Sequence, residues 1–312
     1  MDAETITIVM DQSTAHGLRY LLREVGEQWA AGTLARPSFY EMEQLGAVLR
    51  MVDGALGAAR PAGWRDAPET QLIPEDPADP ETDLARALTD LGKWLTKASQ
   101  RHRGLIAFEA AVEAYRRLDA VDPAAYKPHL ARSLTILSNH MGNADYWDEA
   151  LTAAEQALEI NRRLAADNPA VHEPDLARSL FYLGVVLAEV RRRDEALTAV
   201  EEAVAIYRRL AADDPAYETA LVNALENLGD RLSGVGRGEE ALATAEEAVA
   251  IYRRLAADDP RYELGLSRFL VSLGSRLLAV GRHSEALAAD AQAKEINVRW
   301  VARSSPPGTS SS

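Results

Sequence analysis

Residues Asp175 to Pro215 read DLARSLFYLGVVLAEVRRRDEALTAVEEAVAIYRRLAADDP, and the same pattern returns along most of the chain. EEALATAEEAVAIYRRLAADDP at Glu239–Pro260 nearly copies the second half of that stretch. Aligning the leucine that opens each unit gives Leu84, Leu130, Leu176, Leu221 and Leu266, so the intervals are 46, 46, 45 and 45 residues. Five units at a period in this range predict a solenoid, in which each repeat buries its apolar face on its neighbours.

Within a unit the spacing predicts two antiparallel helices. Leu176, Leu180, Leu183 and Leu187 step by 4, 3 and 4, which puts them on one side of a first helix. The other units repeat the stripe, and Ala196, Val200, Ala203, Tyr207 and Leu210 trace a second helix whose small residues admit close neighbours. Gly92, Gly184, Gly229 and Gly274 recur inside the first helix, with Ser138 in the second unit. A helical glycine costs about 1 kcal/mol against alanine, so its return at one column predicts a partner too close for a Cβ. Turns such as Val235-Gly236-Arg237 join the helices, and Asp-Pro or Asn-Pro closes each second helix.

The rest of the 312-residue composition agrees with an all-α chain. The hydrophobic share is 47% with only 6% aromatic, and Ala, Leu, Arg and Glu crowd the repeats. The absence of cysteine excludes disulfides, thiolate metal sites and a cysteine nucleophile. A net charge of −14 argues against nucleic-acid and membrane partners. With no basic, apolar leader and no long apolar run, a cytoplasmic location is expected.

Residues 1–57 do not fit the repeat. TITIVM (Thr5–Met10) alternates as a short strand or extended arm does, and two amphipathic segments around Leu18–Trp29 and Leu45–Leu56 predict a helical hairpin that caps the array or mediates homo-oligomerisation. A ribbon-helix-helix DNA-binding arrangement is disfavoured, because the strand offers no Lys or Arg and the segment is acidic. Residues 58–82 carry five prolines and predict a linker; residues 83–303 hold the five repeats, and 304–312 a disordered tail.

These columns, with Leu-Gly in the first helix, Ala196 twelve residues after Gly184 and Ala203 seven further on, resemble the tetratricopeptide repeat. The long unit, with a second helix running on through IYRRLAADDP, is similar to the kinesin-light-chain-like and actinobacterial variety. The resemblance implies a right-handed α-solenoid that binds a partner peptide or protein segment in a concave groove lined by first helices. Carried over by column, the groove residues are Arg86, Arg132, Arg178, Asn223 and Arg268, with Phe181 three before the glycine and Lys93 and Asn139 just after it. Four arginines in one column suit an acidic partner segment, since their forked donors match carboxylates; the alternative is that each is paired with a nearby acid, as Asp175 lies three residues before Arg178.

No catalytic constellation is present: there is no GxxxxGK[ST] loop, no GxSxG, and the six histidines show no HExxH or HxH spacing. The chain is expected not to be an enzyme and to bind no cofactor or metal. A protein-interaction scaffold is the expected function. The alternatives are a ligand-sensing regulatory module of a bacterial signalling or conflict system, and self-association through the N-terminal segment.

Overall fold

The computed structural model describes residues 80–97 and 99–304, and the expected strand, hairpin, linker body and tail lie outside the described residues. The described residues form ten α-helices and two 3-10 turns, with no strand among them. The chain divides at Asp167/Asn168 into two compact units. In the first, α1 (Pro80–Lys97) and α2 (Arg101–Val121) form one hairpin, α3 (Pro123–Gly142) and α4 (Trp147–Asp167) the next. In the second, α5 (Pro169–Glu189) pairs with α6 (Arg193–Asp213), α7 (Glu218–Gly234) with α8 (Gly238–Asp258), and α9 (Glu263–Ala279) with α10 (His283–Ser304). Five hairpins thus match the five sequence units, and α1 begins at Pro80, inside the expected linker.

The leucine stripes are the core. Leu84, Leu88, Leu95, Leu180, Leu225 and Leu270 are among the fully buried side chains, and Ala196, Ala203, Ala241 and Ala248 of the second helices have no exposed surface. In the first unit Leu134 and Leu137 of α3 join Phe108, Val112 and Tyr115 of α2 and Ala153 and Ala157 of α4 in one cluster. Burying a leucine side chain contributes about 1.5–3 kcal/mol, so the periodic stripe supplies the stacking energy that no disulfide supplements.

The glycine column marks close approach to the second helix, but what sits there differs. A Cβ at Gly92 would meet the Phe108 ring at 2.6 Å; one at Gly184 would overlap Val200 Cγ2 and stand 3.2 Å from the Ala196 carbonyl. At Gly274 the nearest atom is the Asp290 carboxylate, 3.1 Å away. Ser138, which replaces the glycine in the second unit, donates its hydroxyl to the Ala150 carbonyl at 2.8 Å, a hydrogen bond in place of close packing.

Each first helix ends on one residue in the left-handed region: Ser99, Asp145, Arg191, Gly236 and Gly281, with φ between 63° and 81°. The next amide bonds back to the last residue of the stripe, as Tyr146 N to Met141 O at 3.0 Å and Arg237 N to Leu232 O at 2.9 Å. This is the capping geometry that glycine usually supplies, here imposed on Ser, Asp and Arg in three hairpins. Proline then starts the following repeat. Asp122 accepts from the amides of Ala124 and Ala125 to open α3, whereas Asp214 and Asp259 each cap a 3-10 turn, Pro215–Tyr217 and Pro260–Tyr262, before α7 and α9. The 46-residue units run straight from proline into a helix; the 45-residue interval follows where the 3-10 turn stands in that place.

Arg-Arg pairs stand near the ends of the first four second helices, and those of α2, α6 and α8 link neighbouring repeats within their unit. Arg208 reaches forward to Glu247 on α8 at 2.6 Å, while Arg209 reaches back to Glu173 on α5 at 2.7 Å. Arg253 bonds Gln292 on α10, Arg254 bonds Glu218 on α7, and in the first unit Arg116 bonds Gln156 on α4. The reason lies in register: residues 36 to 40 apart in the chain face each other across stacked repeats.

The turn arginines form a second set of pairs. Arg237 donates through Nε to Glu240 at 2.6 Å and through Nη1 to Glu201 on the preceding second helix at 3.1 Å. Arg282 does the same with Glu285 at 2.7 Å and Glu246 at 3.3 Å. Hydrogen bonds from the guanidinium groups hold Glu240 and Glu285 below the usual carboxylate range.

Candidate functional site

With the stripe committed to stacking, the residues free for contact lie on the opposite side of each first helix. At 100° per residue, Arg132, Thr135 and Asn139 of α3 share a face turned away from Leu134, Leu137 and Met141. Along this face Arg86, Lys93, Arg132, Asn223 and Arg268 are exposed, Asn139, Arg178 and Phe181 are half-buried, and Thr89 and Thr135 are buried.

The cations of this strip are held by partners. Arg178 pairs with Asp175, which is itself buried, and Lys93 with Asp90 at 2.9 Å. Arg268 lies over the Phe269 ring, 4.7 Å from its centre, and reaches Glu226 of α7 at 3.4 Å. Asn139 accepts from the Asn143 amide at 3.4 Å, and Phe181 meets Tyr182 edge to face at 5.2 Å. Burial raises the Tyr207 phenol far above its ordinary value, with Arg178 opposing the shift, so this ring is neutral beneath the strip.

In the second unit α7 and α9 join the strip into one surface. Arg276 of α9, 7% exposed, bonds Asp230 at 2.9 Å, the Glu226 carbonyl at 3.2 Å and the Ser272 hydroxyl, and fills the hollow over Gly229. Asn227 Oδ1 of α7 is buried with no hydrogen-bond partner, and Val271 of α9 stands 48% exposed. Val271 stands three before the glycine, in the groove column of Thr89, Thr135, Phe181 and Glu226, whereas the sequence did not single out Arg276, which stands two after the glycine in the column of Trp94, His140, Val186 and Arg231.

A second concavity lies on the other side of the first unit, where no sequence motif pointed. α2 and α4 form its walls and α3 its floor, in two adjoining cavities of about 290 and 220 Å³. Glu109, Met141 and Glu149 border both. Desolvation in this cleft pushes the Glu109 carboxyl up, with His102 opposing. Among the described residues there is no group of three side chains able to hold a metal ion and no helix long and apolar enough to cross a membrane.

Stacked helical hairpins with a polar strip along the first helices define a helical-repeat protein. Residues 176–216 and 221–261 match the family model for the tetratricopeptide repeat, and the helical hairpins on either side of them share that architecture. No curated protein matches it in sequence. Among solved structures, BtubC (BKLC) from P. vanneervenii is similar at 20% identity, covering 76% of this chain and 88% of that one with a TM-score of 0.61. A kinesin light chain of nearly identical TPR-like repeats from Podosopora anserina covers 70% of this chain and 97% of its own at 19% identity and a TM-score of 0.55. The Rap conjugation gene regulator of plasmid pLS20, solved in complex with the Phr* peptide, covers 90% of this chain and 75% of its own at 13% identity and a TM-score of 0.50. At these identities the likeness establishes the fold.

Proposed function

We propose that the chain is a protein-interaction scaffold that holds an extended partner segment along its first helices. The observation that carries this reading is that one face of the first helices keeps exposed polar side chains, Arg86, Arg132, Asn223 and Arg268, while the leucine stripe opposite it is buried. In the second unit that face offers an exposed Asn223 and an exposed apolar side chain on Val271. The Rap regulator, a structural neighbour, is itself seen with a bound peptide.

An acidic segment is the finer reading. Its carboxylates would exchange with Asp175 and Glu226 for Arg178 and Arg268, so recognition would be a swap of ion pairs and would weaken with salt. The repeat fold, typically a non-enzymatic scaffold, and the absence of a catalytic motif in the sequence favour binding over catalysis.

The test is partner capture from native cells by the full chain against Val271→Asp and Arg268→Glu, both exposed positions. Loss of the captured proteins with unchanged melting supports the strip. Capture that survives both substitutions refutes it.

A further inference from the structure

The turn arginines follow a rule with one exception. Arg237 joins Glu201 and Glu240, and Arg282 joins Glu246 and Glu285, so in each case one guanidinium bridges a carboxylate from each of two neighbouring second helices. The equivalent place between α2 and α4 is held by Tyr146, and the equivalent carboxylates are Glu109 and Glu149. Both are present, both border the same cleft, and among the described residues neither has an arginine or lysine partner. Arg192 stands in the same column and pairs with Glu195, so of the turns that precede α4, α6, α8 and α10 only the one before α4 carries the acids without the arginine.

The surroundings suit a side chain arriving from outside. Leu105, Ile106, Val112 and Met141 line the cleft with apolar surface, which accommodates the methylene stem of a long cation as well as the side chains flanking it. Arg116, bonded to Gln156 at 3.0 Å, closes the far end and leaves the end beside Tyr146 to be filled. His102 is the remaining titratable group at the rim.

We propose that the cleft between α2 and α4 binds an arginine side chain presented by a partner protein, seated between Glu109 and Glu149 over Met141. The forked guanidinium meets two carboxylates at once, the geometry the chain uses within itself at Arg237 and Arg282. This site lies on the far side of α3 from the strip of Arg132 and Asn139, so the protein would hold two partner segments on separate faces.

The experiment uses the full chain and the labelled peptide acetyl-Gly-Leu-Arg-Leu-Gly-amide, with a twin carrying citrulline, the neutral isostere of arginine. Fluorescence anisotropy should show the arginine peptide binding at least about tenfold tighter than the citrulline peptide, the difference a charge-assisted pair makes. Tyr146→Arg restores the internal clasp and should abolish peptide binding while raising the melting temperature. Glu109→Gln with Glu149→Gln should weaken binding by a similar factor with the fold retained. Equal binding of the two peptides, no binding of the arginine peptide at millimolar concentration, or unaltered binding by a folded Tyr146→Arg variant would each overturn the proposal. Self-association that Tyr146→Arg removes would also overturn it, because the occupant would then be a second copy of the chain. Capture through Val271 and Arg268 is unaffected by any of these results, so the two faces are tested apart.

Discussion

The four glycines of the first-helix column look equivalent in the sequence, and the structure ranks them. Replacing any of them with alanine gains about 1 kcal/mol of helix propensity. Against that gain stands the space available. At Gly184 the new methyl overlaps Val200, whose own side chain is fully buried and packed, so an overpacking cost of about 2 kcal/mol applies. The net expectation for Gly184→Ala is a loss of about 1 kcal/mol. At Gly274 the methyl meets the far end of the Asp290 side chain at 3.1 Å and the Ala286 carbonyl at 3.5 Å, and the carboxylate can swing aside. Gly274→Ala should therefore stabilise by about 0.5–1 kcal/mol. Urea denaturation followed by far-ultraviolet circular dichroism measures both, with the variants compared at constant slope. In a Val200→Ala background the cost of Gly184→Ala should disappear, which locates the clash. If both alanine variants shift the midpoint in the same direction, the reasoning from the second-helix contact is wrong.

Other outcomes follow from features already described. Arg191 adopts φ 65° at a helix end where two other hairpins use glycine, so Arg191→Gly should raise stability by about 1 kcal/mol in the same denaturation assay. His140 stacks on Phe108 at 4.4 Å, and burial lowers its folded-state pKa below the ordinary value near 6.5. The unfolded chain then takes the proton first as pH falls, so stability present above about pH 6.5 is lost between that value and the lower folded pKa. His140→Phe should remove that share of the decline, seen as a smaller difference between urea midpoints at pH 7.5 and pH 5.5. Glu247→Gln breaks the forked pair with Arg208 but keeps one acceptor, and as a half-exposed pair it should cost no more than about 0.2–1 kcal/mol, with the loss shrinking at high salt.

Much of the architecture was legible because it obeys helical periodicity. The 4-3-4 leucine steps, the glycine column and the Asp-Pro stops all act within one helix or at its end, where neighbours along the chain are neighbours in space. The Arg178–Asp175 pair was readable for the same reason. What escaped depends on the stacking register between repeats. Arg208–Glu247 and Arg268–Glu226 span 39 and 42 residues, separations that no helix-face rule connects. A usable signal did exist: subtracting one repeat length brings those partners nearly into line, and the same alignment shows Gln100 and Tyr146 in the column that holds Arg192, Arg237 and Arg282. The first-helix strip was legible as a set of columns, but its ion pairs were not, because the acids that hold Arg268 and Arg276 come from the preceding repeat.

Each helix rests chiefly on the helices that precede and follow it in the chain within its unit. Synthesis proceeds from the N-terminus at about 5–20 residues per second, whereas helices form and short loops close in about a microsecond or less. A 45-residue repeat therefore takes seconds to emerge and can close its hairpin as soon as its second helix is made. Assembly can keep pace with the ribosome, one hairpin docking on the last, and no segment has to wait for a distant partner to be translated.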